Sequence, residues 1–82
     1  MKFIRRFEDV QLDEGAVRMQ ELSTAEFQKM VAIEDPNEQV ISLIFMSLET
    51  KPDAADEIYN WPVSVTNVLS EVAMRLNGLS GN

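Results

Sequence analysis

The chain contains neither cysteine nor histidine. Disulfide staples, thiol nucleophiles, imidazole bases and the usual ligands of zinc, copper and haem are therefore absent together. No catalytic, cofactor-binding or metal-ligating residue is expected, and the sequence reads as that of a non-enzyme. Basic residues are scarce as well, 7 against 14 acidic ones, for a net charge of −7 and a pI near 4.3. Phosphate binding would have to work against that field, so nucleic acid is not an expected partner. Long apolar runs are also missing. The densest stretch, Val40 to Leu48, is interrupted by Ser42 and Ser47 and falls well short of the roughly 18–20 residues of a membrane-spanning helix. The basic start Met1-Lys2-Phe3-Ile4-Arg5-Arg6 is followed by no apolar leader core, so neither membrane insertion nor export is expected. With no cysteine to oxidise, a reducing intracellular setting is expected.

What remains is a chain of 82 residues with 45% hydrophobic content. That is enough to fold as a single domain, 1–82, and too little for a second core. The first twenty-odd residues read as extended. Val10 and Leu12 alternate before Asp13-Glu14-Gly15, and Val17 and Met19 alternate after it, the period-2 pattern of a β-hairpin over about 6–21. Helical spacing begins at Ser23, which stands three residues before Glu26 as a capping box requires. A helix over about 24–34 buries Phe27, Met30 and Val31, and Asp35-Pro36 stops it. The same dipeptide caps and opens a second helix over about 36–50. Its residues Val40, Ile41, Ile44, Phe45 and Leu48 share one arc, while Leu43 and Met46 project from the other side. Residues Ala54 to Asn60 can form a short helical turn. A third helix over about 62–77 carries Val65, Val68, Leu69, Val72, Ala73 and Leu76 on one stripe and ends at Asn77-Gly78. Leu79 to Asn82 is too short and polar to add structure. The expected fold class is mainly α, three principal helices with a short N-terminal β-hairpin packed on them.

No chemical motif emerges from the carboxylates. Glu34 with Asp35, and Asp53 with Asp56 and Glu57, read as solvated faces, since no base, nucleophile or phosphate loop accompanies them. A calcium loop starting at Asp35 would have Val40 where glycine is needed and Met46 where an acid is needed. The basic patch Lys2, Arg5 and Arg6 alternates with Phe3, Ile4 and Phe7, and its charges are expected to pair with the chain's own acids. Trp61-Pro62 is either a core anchor at the head of the last helix or a partner contact. Leu43, Met46 and Met74 stand off the stripes of their helices, either buried under the hairpin or forming an association surface. Leu43, Met46, Trp61 and Met74 are thus the candidate residues for self-association or partner binding.

From Val10 to Gly78 the sequence shows a hairpin, Glu21-Leu22-Ser23 opening a helix, Phe45-Met46-Ser47-Leu48 in an apolar helix, Trp61-Pro62, and a closing helix ending Met74-Arg75-Leu76-Asn77-Gly78. In that order these motifs resemble the lambda-type tail assembly chaperones of long-tailed bacteriophages. This chain departs from the pattern in lacking a longer charged insertion in its middle. The resemblance implies a protein of the host cell cytoplasm that self-associates as a homo-oligomer or spiral. It would bind the helical tape measure protein, keep it soluble until tail tube protein polymerises around it, and be absent from the mature virion. It also implies that a C-terminally extended form of the same chain can be a partner. A different class of reading is a small acidic regulatory or inhibitory binding protein, such as a nucleic-acid mimic. That would require its acids on one continuous surface, whereas here they are spread from Glu8 to Glu71.

Overall fold

A computed structural model describes residues 1–79. Residues 80–82, part of the tail expected to add no structure, lie outside the described residues. Strands β1 (Phe7–Leu12) and β2 (Gly15–Gln20) pair antiparallel, with Val10 opposite Val17 and Leu12 opposite Gly15. Asp13 and Glu14 make the turn, and Gly15 leaves it at φ +134°, a conformation that a side chain disfavours. The pleat sends Val10, Leu12, Val17 and Met19 inward and leaves Phe7, Asp9 and Arg18 on the outer face.

Helix α1 (Thr24–Val31) opens with a complete capping box. The Glu26 N–H donates to Ser23 Oγ at 3.2 Å, and the Ser23 N–H donates to Glu26 Oε1 at 2.9 Å. This helix ends at Val31, three residues before the expected 34, because the Ile33 N–H turns back to the Met30 carbonyl and tightens the last turn. Helix α2 (Pro36–Ser47) is capped by Asp35, whose carboxylate accepts from the N–H groups of Asn37 and Glu38. A 3-10 helix follows at Ala55–Asn60, and helix α3 (Val63–Leu76) closes the fold. At its end Gly78 takes φ +69°. The Gly78 N–H returns to the Arg75 carbonyl and the Leu79 N–H to the Met74 carbonyl at 2.7 Å, which is a Schellman stop.

Two features make the class α+β rather than mainly α with three principal helices: the described chain is 51% helical and 16% strand, and it has four helices when the 3-10 element is included. The expected end of the second helix fails for a physical reason. Helix α2 stops at Ser47 instead of 50 because Leu48 becomes extended and bridges Met19 of β2, while the Glu49 N–H donates to the Arg18 carbonyl at 3.0 Å. The hairpin therefore gains a third backbone neighbour, and its inner face, with Val10 and Met19 buried, forms part of the core. Met19, Ile44, Ile58 and Leu69 form the centre of that core, with Val10, Leu22, Met30, Leu43, Leu48, Val72, Ala73 and Leu76 around them. Ile58 brings the 3-10 helix against α2, so the short helical turn is a structural member of the fold.

Candidate functional site

Two apolar concavities remain open on this core. The first is a cleft of about 300 Å³ between the hairpin turn, the end of α2 and the head of α3, lined chiefly by Leu12, Val17, Leu48, Trp61, Val65 and Leu69. Glu14, Thr50 and Pro62 complete its wall. Trp61 is half-buried here because its C-cap backbone turns the chain from the 3-10 helix into α3, with the indole against the core. It serves at once as anchor and as wall, so the two readings of Trp61-Pro62 are compatible.

The second concavity lies between α1, the first half of α2 and the end of α3. Phe27, Met30 and Val31 form one wall, Gln39, Val40 and Leu43 the second, and Met74 with Leu79 the third. The Schellman stop places Leu79 beside Met74, the apolar pairing that usually accompanies that motif. Val31, Val40, Met74 and Leu79 are each exposed by more than a third, Val31 by 51%. Beyond Val40 stands Tyr59, half-exposed, and its phenol is pushed up from the ordinary value, first by partial loss of water and then by the carboxylates of Glu38, Asp35 and Asp56. The groove's own lining is apolar apart from Gln39.

The candidate association residues fall in different places. Leu43 and Met74 meet in the groove, Trp61 lines the cleft, and Met46 lies in neither, half-buried against the core. Leu43 is only 3% exposed. Its face of α2 is a floor rather than a free association surface. Val31, Val40 and Leu79 were not among the candidates. Val31 and Val40 have the spacing of helix stripes, and in the structure they stand exposed at the rim.

Four arginines form ion pairs on the remaining surface. On the outer face of the hairpin Arg18 donates to Asp9 at 2.8 Å, lies 3.6 Å from Glu49 and stacks 4.3 Å over the Phe7 ring. The bond from Arg18 holds the Asp9 carboxyl below its ordinary range. Arg75 reaches from α3 to Glu8 at 2.6 Å, Arg5 pairs with Glu26 at 3.1 Å, and Arg6 lies 3.8 Å from Glu21. The basic N-terminal residues Arg5 and Arg6 are therefore engaged with acids of their own chain. Among the described residues no group of three or more histidine, cysteine, aspartate or glutamate side chains could hold a metal ion, and no helix is long and apolar enough to cross a membrane. No protein-family model matches the chain, and neither a curated protein nor a solved structure shows significant similarity to it.

Proposed function

We propose that this protein is a tail assembly chaperone of long-tailed bacteriophages, one that self-associates and covers the apolar stripes of a helical tape measure protein in the host cytoplasm until tail tube protein polymerises around it. The observation that carries this reading is the groove of Val31, Val40, Leu43, Met74 and Leu79 on a domain of net charge −7. An amphipathic helix lays its apolar face into such a groove through a few anchors, and the net negative charge keeps a coated filament soluble. The order of motifs from Val10 to Gly78 supplies the identity of the client. A tail tube protein and a C-terminally extended form of the chain belong to the same reading as further partners.

Co-expression with the tape measure protein tests it. The parent chain is expected to keep the client soluble, whereas Val31→Lys together with Met74→Lys should release it into the pellet while the variant itself stays folded. Full client solubility with that double variant would remove the groove as the client site. Failure of the parent chain to hold any client in solution would remove the chaperone reading altogether.

A further inference from the structure

The segment before β1 is an apolar arm on a basic stem. Phe3 and Ile4 are 86% and 91% exposed, while the stem behind them is fastened to the body. Arg6 donates to the Leu76 carbonyl at 2.7 Å, its N–H donates to Glu21 Oε1 at 2.8 Å and its carbonyl accepts from the Glu21 N–H at 2.8 Å; Arg5 pairs with Glu26. Lys2, Arg5 and Arg6 belong to the 7 basic residues of the chain, and all 14 acids follow them in sequence. The arm is thus a short cationic and apolar peptide projecting from an anionic body.

The cleft at the opposite end has the complementary character. It is lined by apolar side chains and edged by Glu14, with Asp13 beside it in the turn. The arm leaves the body at the start of β1 and the end of α3, whereas the cleft opens at the end of β1 and the head of α3. Five strand steps from Phe7 to Leu12 span roughly 17 Å, and the 14 residues of α3 span roughly 21 Å at the usual helical rise. Phe3 stands three residues from the Arg6 anchor and reaches about 10 Å from it even when fully extended. It cannot enter the mouth of its own cleft.

We propose that the arm of one copy, through Phe3 and Ile4, seats in the Leu12, Val17, Trp61 and Val65 cleft of the next copy, with Lys2 facing Asp13 and Glu14. Because arm and cleft are different surfaces, the contact is heterologous, and when the rotation between copies does not close it propagates. Each copy keeps one free arm and one free cleft, and the product is an open chain of copies. This inference rests on the self-association within the function proposed above and assigns it to surfaces separate from the client groove.

The test uses the full chain and Trp61, its single tryptophan. For the parent, sedimentation velocity across a concentration series should show growing assemblies, and Trp61 emission should shift to the blue as the cleft loses water. Phe3→Asp with Ile4→Asp, at two exposed positions, should weaken association at least about tenfold, as loss of central apolar anchors does, and leave the thermal transition unmoved. Glu14→Lys with Thr50→Arg, at the cleft's edge, should do the same. Mixing the two variants should restore one contact and give a capped heterodimer, since the cleft variant supplies an intact arm and the arm variant an intact cleft. Undiminished assembly by both variants would overturn the arm and cleft pairing while leaving self-association through another surface. A parent that stays monomeric at every concentration would overturn the pairing and the self-association together. Dimers that stop growing, with no heterodimer on mixing, would show a closed symmetric contact and equally overturn it.

Discussion

The backbone N–H of Leu22 donates to Asn77 Oδ1 at 2.8 Å, and the same side chain donates from Nδ2 to the Ala73 carbonyl at 2.8 Å. One amide thus closes α3 and ties its end to the segment between the hairpin and α1. Leu22 is buried, so its N–H has no ready access to water when the partner is removed. Asn77→Ala is expected to cost about 1–3 kcal/mol. Asn77→Asp should recover part of the loss, because it keeps the acceptor for Leu22 but gives up the bond to Ala73 and sets a negative charge at the C-terminal end of a helix. Urea titration of the three chains gives the order, and an alanine variant as stable as the parent would show that this tie contributes nothing.

Ser47 presents the opposite case. It has no exposed surface, and its Oγ has no hydrogen-bond partner among the described residues. A buried hydroxyl left unpaired is destabilising by roughly 1–3 kcal/mol on mutational scales. Ser47→Ala is therefore expected to be neutral or to raise stability by up to about 1 kcal/mol, since removing one oxygen leaves only a small space. A loss greater than that in thermal or denaturant unfolding would mean that the hydroxyl is satisfied after all.

Acid should loosen the N-terminus of α1. The Glu26 carboxyl is held below its ordinary value of 4.5 mainly by the bond from the Ser23 backbone N–H, with Arg5 helping, and against the opposing effect of partial burial. A carboxyl that ionises more readily in the folded chain contributes stability that is complete above the unfolded value and is lost as pH falls through the lower folded value. Asp9, drawn down by Arg18, acts in the same direction. Glu26→Gln keeps an acceptor for Ser23 but cannot titrate. Melting temperatures taken between about pH 6 and pH 3 should therefore fall less steeply for Glu26→Gln than for the parent; parallel curves would count against this assignment.

The elements legible in the sequence are those written locally. Ser23 with Glu26, Asp35 with Pro36, and Asn77 with Gly78 each mark a helix end within four residues, because capping uses backbone groups of the same turn. Pairings between distant segments were not legible. Leu48 has the spacing of a helical core residue, yet its backbone is taken over by Met19 of β2, nearly thirty positions earlier, and that bridge accompanies the end of α2 at Ser47. Ile58 sits in an acidic stretch that reads as solvent-facing, although it is an isolated large aliphatic side chain there, and it is fully buried. The same limitation applies to the candidate site. Leu43 was legible as lying off the stripe of its helix, but whether that second face is open or covered depends on how α1 and α3 close over it.

Groove and core should separate under substitution. Leu43 and Leu69 are both buried, at 3% and 1% exposure, and each fills space that neighbours on rigid elements cannot fully reclaim. Leu43→Ala and Leu69→Ala are each expected to cost about 2–5 kcal/mol. Met74 is 37% exposed in the last turn of α3. Lysine there can extend its head group into water, and its charge suits the C-terminal end of the helix, so Met74→Lys should stay within about 1 kcal/mol of the parent. Client capture should follow the reverse order when scored on the folded fraction. The Met74→Lys variant sets a cation against the apolar stripe of the client, whereas a shortened core side chain leaves the groove's rim in place. The outcome that would sink this division is a Leu43→Ala chain that is as stable as the parent yet fails to hold client, because Leu43 would then act at the surface rather than beneath it.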